Sequence, residues 1–133
     1  MTVAGGDVIP DLTIEAVDPG RMKTMVALLH DPYPIHWNPA ATAELGLGAR
    51  LVNQGPLSLG YVTNMLMAWQ GATCIRRINA RFKAPVFAGD RVTAGGLVQE
   101  VIEVDGERRA VCEVWLDTPN GRAIEGGATV GLS

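Results

Sequence analysis

The stretch that most constrains the fold is the run over residues 55–71, GPLSLGYVTNMLMAWQG. It is long enough for about four helical turns. One face of such a helix carries Leu57, Tyr61, Met65 and Ala68, and another carries Leu59, Val62, Leu66 and Trp69. A helix with so little polar surface is buried on most sides. The sequence therefore predicts a central helix that ends at Gly71 and is surrounded by the rest of the chain.

From Cys74 onward the chain reads as strands separated by turn residues. Four stretches are each bounded by Gly, Pro or Asp: CIRRINARFKAPV, DRVTAGGLVQEVIEV, RRAVCEVWLDT and GRAIEGGATVGL. The segments VDGERR and TPNGRA lie where hairpins would turn. Four antiparallel strands after one buried helix predict an α+β domain, with a curved sheet wrapped around the helix. Apolar residues on both sides of the strands favour a dimer or larger assembly.

The residues before the central helix predict one more strand and two shorter helices. Residues 12–17 form a short strand that an Asp-Pro-Gly turn at 18–20 would close. The segment RMKTMVALLH, 21–30, has apolar residues at helical spacing. A further helix, in NPAATAELGLG, has Asn38 as its N-cap and Gly46 as its stop.

Composition bounds the class of the protein. The chain has 133 residues, of which 47% are apolar and 19% charged, so we expect one domain over residues 1–133. The net charge of −3 gives no reason to expect nucleic-acid binding. No leader-like start and no apolar run of membrane-spanning length is seen, so a cytoplasmic protein without a membrane partner is expected. Cys74 and Cys112 lack metal-type spacing and are interpreted as buried free thiols.

Both histidines lie in one proline-rich segment, LLHDPYPIHWNP, 28–39. Asp31 and His36 stand in a stretch that prolines stiffen, so the two polar groups can be held in fixed relation at low entropic cost. A carboxylate and an imidazole on one rigid loop suit general acid–base catalysis. The alternatives are a structural hydrogen bond, or a metal site that also uses His30. Because the adjacent side chains of His30 and Asp31 diverge, no metal is expected.

The start of the central helix is the second candidate site. Gly55 lies in its first turn, where backbone N–H groups have no partner inside the helix and can bind a developing oxyanion. Asn53, Gln54 and Ser58 add more polar atoms than a structural turn needs. The alternative interpretation is that the glycine only permits a tight turn. The later segment RFKAPVFAGDRV, 81–92, reads by itself as a strand, a turn around 88–90 and another strand.

These features in this order resemble the MaoC-like hydratases of the hot-dog superfamily. The hydratase motif of that family is Asp, four residues, His, then a helical stretch and a turn to the glycine of the central helix. It stands here as DPYPIHWNPAATAELGLGARLVNQGPLSLGY, from Asp31 past Gly55. The family pattern F-x-x-P-V-x-x-G-D-x-V stands as FKAPVFAGDRV, 82–92. The resemblance implies a single hot-dog domain.

The resemblance also implies an activity. Asp31 and His36 would activate water and move protons in the hydration of a trans-2-enoyl-CoA thioester to the (R)-3-hydroxyacyl product, or in the reverse dehydration. The N–H of Gly55 would hold the thioester carbonyl oxygen. No metal or cofactor is implied, because the CoA thioester is the substrate. The family usually has His-Gly where this chain has Gln54-Gly55, so the surroundings of the glycine differ.

A "VN" at positions 52–53 and the opening MTVAGGDVIPDL also resemble MaoC-like subunits of steroid degradation, which pair with a different hot-dog chain. This implies a bulky acyl group, such as a steroid side chain, and a second hot-dog subunit as partner, with a homodimer as the alternative. For the CoA phosphates the candidates are basic residues on and near the first long strand: Arg81, Lys83, Arg50, Arg76 and Arg77. A solvated strand face is the other interpretation of this charge.

Other activities within the superfamily stay open at this point. A carrier-protein dehydratase differs only in the carrier of the acyl group. A thioesterase would commonly place a carboxylate on the central helix, but residues 57–69 contain no Asp or Glu. A non-catalytic subunit that completes a partner's site would not need both Asp31 and His36.

Overall fold

The computed structural model describes residues 2–133 and contains five strands and three α-helices; Met1, the first residue of the expected domain, lies outside the described residues. In chain order the elements are β1 (Val8–Ile14), α1 (Pro19–Leu29), a 3₁₀ turn (Pro34–His36), α2 (Pro39–Glu44), α3 (Gly55–Gln70), β2 (Ile75–Phe82), β3 (Val92–Val104), β4 (Glu107–Thr118) and β5 (Gly121–Gly131).

The five strands form one antiparallel sheet in the order β1-β3-β4-β5-β2, and α3 packs against all of them. Tyr61, Val62, Met65 and Leu66 of α3 are buried against apolar side chains of the strands. Each fully buried apolar side chain of this kind contributes on the order of 1.5–3 kcal/mol. The α+β hot-dog arrangement expected from the sequence is therefore confirmed, as are the hairpins β3–β4 and β4–β5.

The predicted strand at 12–17 and its Asp-Pro-Gly turn are wrong in detail. The strand runs earlier, from Val8 to Ile14, and pairs with β3. The Asp-Pro-Gly segment begins α1 instead: Asp18 is the N-cap, its side chain accepts a hydrogen bond from the N–H of Gly20, and Pro19 is the first helical residue. Asp and Pro favour these two positions as strongly as they favour a turn.

The segment 81–92 has the predicted strand, turn and strand: β2 ends at Phe82, the chain turns at 87–90, and β3 begins at Val92. Strand β2 lies at one edge of the sheet and pairs with β5, whereas β3 lies between β1 and β4. Residues 83–91 therefore cross from one part of the sheet to another, past the start of α3. The two strands follow each other in sequence but do not pair, because β2 pairs with β5.

The two shorter helices follow their capping signals. Asn38 caps α2, and its side chain accepts from the N–H of Ala40. Helix α1 ends at Leu29 because His30 takes a left-handed conformation, with φ 52°. None of the helices within residues 2–133 is both long and apolar enough to cross a membrane.

Cys74 and Cys112 are buried free thiols, as predicted. Burial raises the pKa of the Cys112 thiol to about 11, and it also raises the pKa of Cys74. The reactive thiolate is therefore scarce near pH 8. We expect neither cysteine of the folded protein to react with Ellman's reagent at that pH, while both react in concentrated guanidinium chloride. Rapid labelling of the native protein would contradict this expectation.

Candidate active site

His36 ends the 3₁₀ turn and is 7% exposed. Its Nδ1 lies 2.6 Å from the carbonyl oxygen of Val52. Because a carbonyl oxygen can only accept, Nδ1 carries the proton, and Nε2 of the neutral ring is a free acceptor. The ring of Tyr33 stands edge-on to the imidazole, with 6.0 Å between ring centroids. These contacts fix both the tautomer and the orientation of His36.

Asp31 follows the left-handed residue that ends α1. Its Oδ1 accepts a hydrogen bond of 3.2 Å from the N–H of Tyr33, which holds the carboxylate over the start of the proline-stiffened segment. Its Oδ2 lies 3.6 Å from Nε2 of His36. That distance is too long for a strong hydrogen bond. Both atoms are therefore free to accept hydrogen bonds from one water molecule.

Gly55 is the first residue of α3, and its N–H has no protein acceptor within residues 2–133. The N-cap residue, Gln54, gives no side-chain cap, and Pro56 has no N–H. The ring of Phe82 covers the glycine so closely that a Cβ at this position would lie 3.3 Å from it. The helix start therefore presents a free donor at its positive end.

Two further polar residues flank this donor. Asn53, which is 4% exposed, donates from Nδ2 to Oγ of the buried Ser58 at 2.9 Å. Its Oδ1 is buried and has no partner among the described residues. Burial raises the pKa of the nearby Tyr61 phenol, and the amide of Asn53 acts in the opposite direction.

One cleft of about 480 Å³ brings most of these groups together. Its lining includes His36, Asn53, Gly55, Ser58 and Lys83 among the residues expected from the sequence. The remaining lining residues are mainly apolar: Tyr33, Ile35, Val52, Phe82, Ala84, Pro85, Val86 and Ile124. Asp31 is not part of the lining and approaches the cleft through His36. A mostly apolar cleft with a few convergent polar groups is typical of a substrate site.

Two expected site residues lie elsewhere. Gln54 is 1% exposed and turns away from the cleft, where its Nε2 donates to the carbonyl oxygen of Met22 at 2.7 Å. Arg81 lines a separate shallow groove beside Glu125 on the sheet. Neither side chain joins the group around His36.

The basic residues divide by their partners. Arg76 binds Glu107 through two nitrogens, and with Arg109 it holds the pKa of the Glu107 carboxyl at about 2. Arg50 pairs with the buried Asp90 at 2.8 Å. Nζ of Lys83 lies 3.3 Å from Oε2 of Glu125, and both side chains are partly exposed. Lys83 is also the cation that lines the cleft. Of the candidate phosphate contacts, Lys83 is therefore the one beside the cleft.

The roles of two groups in the cleft are not evident from the sequence, although their residues, Val52 and Phe82, stand in the segments VN and FKAPVFAGDRV. The carbonyl of Val52 and the ring of Phe82 act through backbone position and packing, which residue type alone does not reveal. Within residues 2–133, no three His, Cys, Asp or Glu side chains come together in a way that could hold a metal ion.

Comparison with known proteins gives concordant matches. The family model of the MaoC like domain matches residues 13–116. An (R)-hydratase from A. caviae involved in PHA biosynthesis is 26% identical over 99% of this chain and 98% of that one, with a TM-score of 0.83.

Two complexes from Mycobacterium tuberculosis also match in structure. The ChsH1–ChsH2 complex is 23% identical and covers 100% of both chains at a TM-score of 0.79. The HadBC (3R-hydroxyacyl-ACP dehydratase) complex is 19% identical over 98% of each chain, with a TM-score of 0.72. A comparison with curated protein sequences finds no match.

Proposed function

Because this chain belongs to the family of MaoC-like domains, we propose that it is a hydro-lyase that adds water to a trans-2-enoyl thioester. The product is the (R)-3-hydroxyacyl thioester, and the reverse dehydration uses the same groups. The observation that carries the proposal is that His36 and the free N–H of Gly55 line one cleft, with the Asp31 carboxylate 3.6 Å from Nε2 of His36.

In the proposed reaction the water is held by Oδ2 of Asp31 and Nε2 of His36. Val52 fixes the Nδ1–H tautomer, so Nε2 faces the water as an acceptor. The water oxygen forms a bond to C3 of the substrate while one water proton passes to the acid–base pair. Both polar groups are held by backbone contacts, so little reorganisation is needed when the substrate binds.

The N–H of Gly55 donates a hydrogen bond to the thioester carbonyl oxygen. As water attacks C3, the π electrons of the C2=C3 bond move toward this oxygen and form an enolate, which the N–H and the helix dipole stabilise. The enolate collapses when C2 takes a proton from the acid–base pair. The net change is addition of H and OH across the double bond, and no cofactor enters the balance.

CoA is the proposed carrier, with Lys83 as a phosphate or pantetheine contact, and an acyl carrier protein is the alternative carrier. The resemblance of "VN" and of the opening residues to steroid-degradation subunits favours a bulky acyl group. Two of the similar structures are complexes, which supports a second hot-dog subunit as partner, although a homodimer would present the same groups. A thioesterase is disfavoured because α3 carries no carboxylate.

The direct test is hydration of crotonyl-CoA and of longer or ring-bearing 2-enoyl-CoA thioesters, followed by the loss of enoyl-thioester absorbance. The purified protein is assayed alone and after co-expression with a candidate hot-dog partner. We expect an (R)-3-hydroxyacyl product from at least one of these substrates. Hydrolysis to free CoA without hydration would contradict the proposal and indicate a thioesterase.

A further inference from the structure

We propose that Asp90, with Arg50, is a positioning residue that sets the register between His36 and Gly55. The inference rests on the proposed function for its kinetic consequence, but its geometric part can be tested without any activity. Asp90 belongs to the segment FKAPVFAGDRV, 82–92, and the proposed reaction itself gives this residue no role.

The Asp90 carboxylate is an anchor for a tight turn. Its side chain is 3% exposed, and Oδ1 accepts from Nη1 of Arg50 at 2.8 Å. Oδ2 accepts from the N–H of Phe87 at 3.0 Å, and the Asp90 N–H donates to the Phe87 carbonyl at 3.0 Å. The Arg50 guanidinium also lies 4.8 Å from the centre of the Phe87 ring. One buried carboxylate thus ties the turn 87–90 to the residue that precedes the segment 51–53.

Residues 51–53, which we call the bridging strip, connect this turn to the active site. On one side, the Leu51 carbonyl accepts a hydrogen bond from the N–H of Ala88 at 2.8 Å. The Asn53 N–H donates to the Val86 carbonyl at 2.7 Å. The N–H and the carbonyl of Val52, which lies between Leu51 and Asn53, face the other way.

On that other side, the Val52 N–H donates to the Ile35 carbonyl at 2.9 Å, and the Val52 carbonyl accepts from Nδ1 of His36 at 2.6 Å. The strip therefore behaves like a short central strand between the Asp90 turn and the 3₁₀ turn. Its last residue stands two positions before Gly55. Any shift of the strip moves the imidazole partner and the start of α3 together.

A carboxylate that only stabilised the domain would leave the position of the bridging strip unchanged when it is removed. If Asp90 positions it, loss of the carboxylate frees Val52 to rotate its carbonyl away from His36. The imidazole then loses the contact that fixes its tautomer, and a displacement of about 1 Å in the reacting groups is enough to cost about 10²-fold in rate.

The test uses the full protein, because a chain with two histidines gives a simple imidazole ¹⁵N spectrum. In the unaltered protein we expect neutral His36 to be the Nδ1–H tautomer. In Asp90→Ala we expect a mixture of tautomers and a fall in kcat of about 10²-fold, with a smaller change in KM. Asp90→Asn keeps an acceptor for the Phe87 N–H and should lie between the two.

If Asp90→Ala does not fold, Arg50→Ala replaces it in the test, because 52% of the Arg50 side chain is exposed and its removal leaves a smaller gap. Arg50→Ala should shift the His36 signals in the same direction as Asp90→Ala. Arg50→Lys should restore them. Glu107→Gln is the matched control, since that carboxylate also binds arginine but lies away from the cleft. The proposal is overturned if the folded variant, Asp90→Ala or Arg50→Ala in its place, keeps the His36 tautomer and the kcat of the parent. It is also overturned if Glu107→Gln shifts the His36 ¹⁵N signals by the same amount. A parent protein without hydratase activity would overturn the proposed function alone, since the spectra still decide the role of Asp90.

Discussion

Replacing His36 by alanine is expected to lower the rate of enoyl-thioester hydration by about 10²-fold or more. The imidazole is the group whose Nε2 faces the water position. No other side chain that lines the cleft is an acid–base group near neutral pH. Asp31→Asn should cause a loss of similar size, because the amide offers the water one weaker acceptor and no negative charge. Initial rates with a 2-enoyl-CoA thioester measure both effects.

The matched control for His36 is the other histidine of the chain. His30 lies at the end of α1 with φ 52°, and asparagine tolerates this conformation better than alanine does. His30→Asn should therefore retain the stability and the turnover of the parent. Thermal unfolding of each variant separates loss of chemistry from loss of fold. Unchanged turnover in both His36→Ala and Asp31→Asn would remove the acid–base assignment.

The sequence predicts the elements whose signals are local. Helix α3 follows from an apolar surface that covers most of its circumference, and the hairpins of β3, β4 and β5 follow from their turn residues. The strand at the start of the chain was misplaced because Asp18 and Pro19 suit a turn and a helix start equally well. The position of β2 depends on pairing with a strand more than forty residues later in the chain, and no local pattern carries that information.

The candidate site divides in the same way. The spacing of Asp31 and His36 and the prolines between them predict an acid–base pair. The start of a buried helix predicts Gly55 as an oxyanion donor. The direction of the buried Gln54 side chain, away from the cleft, could not be predicted, because it depends on the Met22 carbonyl of helix α1. The role of the Val52 carbonyl is also hidden from the sequence, since any residue type supplies the same backbone oxygen.

The second large effect is expected at Gly55, where proline removes the N–H and puts a ring carbon on the same nitrogen. Proline suits the first position of a helix, and the preceding residue already has φ −62° and ψ 143°, which a following proline favours. Loss of one oxyanion donor of this kind costs about 10²–10³-fold in kcat. Gly55→Pro should therefore show a loss in kcat of at least this size, while thermal unfolding measures the cost of a second ring directly before Pro56.

Gly55→Ala is the control that separates the donor from the space around it. Alanine keeps the N–H but adds the Cβ that meets the Phe82 ring at 3.3 Å, and this partly exposed ring can move slightly to accept it. Proline adds the same Cβ, removes the donor and puts its ring Cδ where the hydrogen pointed, so the ratio of kcat between the two variants measures the loss of the oxyanion position, donor and space together. If alanine and proline at position 55 lowered kcat equally, the steric contact with Phe82 would be the cause, and the N–H of Gly55 would have no part in stabilising the enolate.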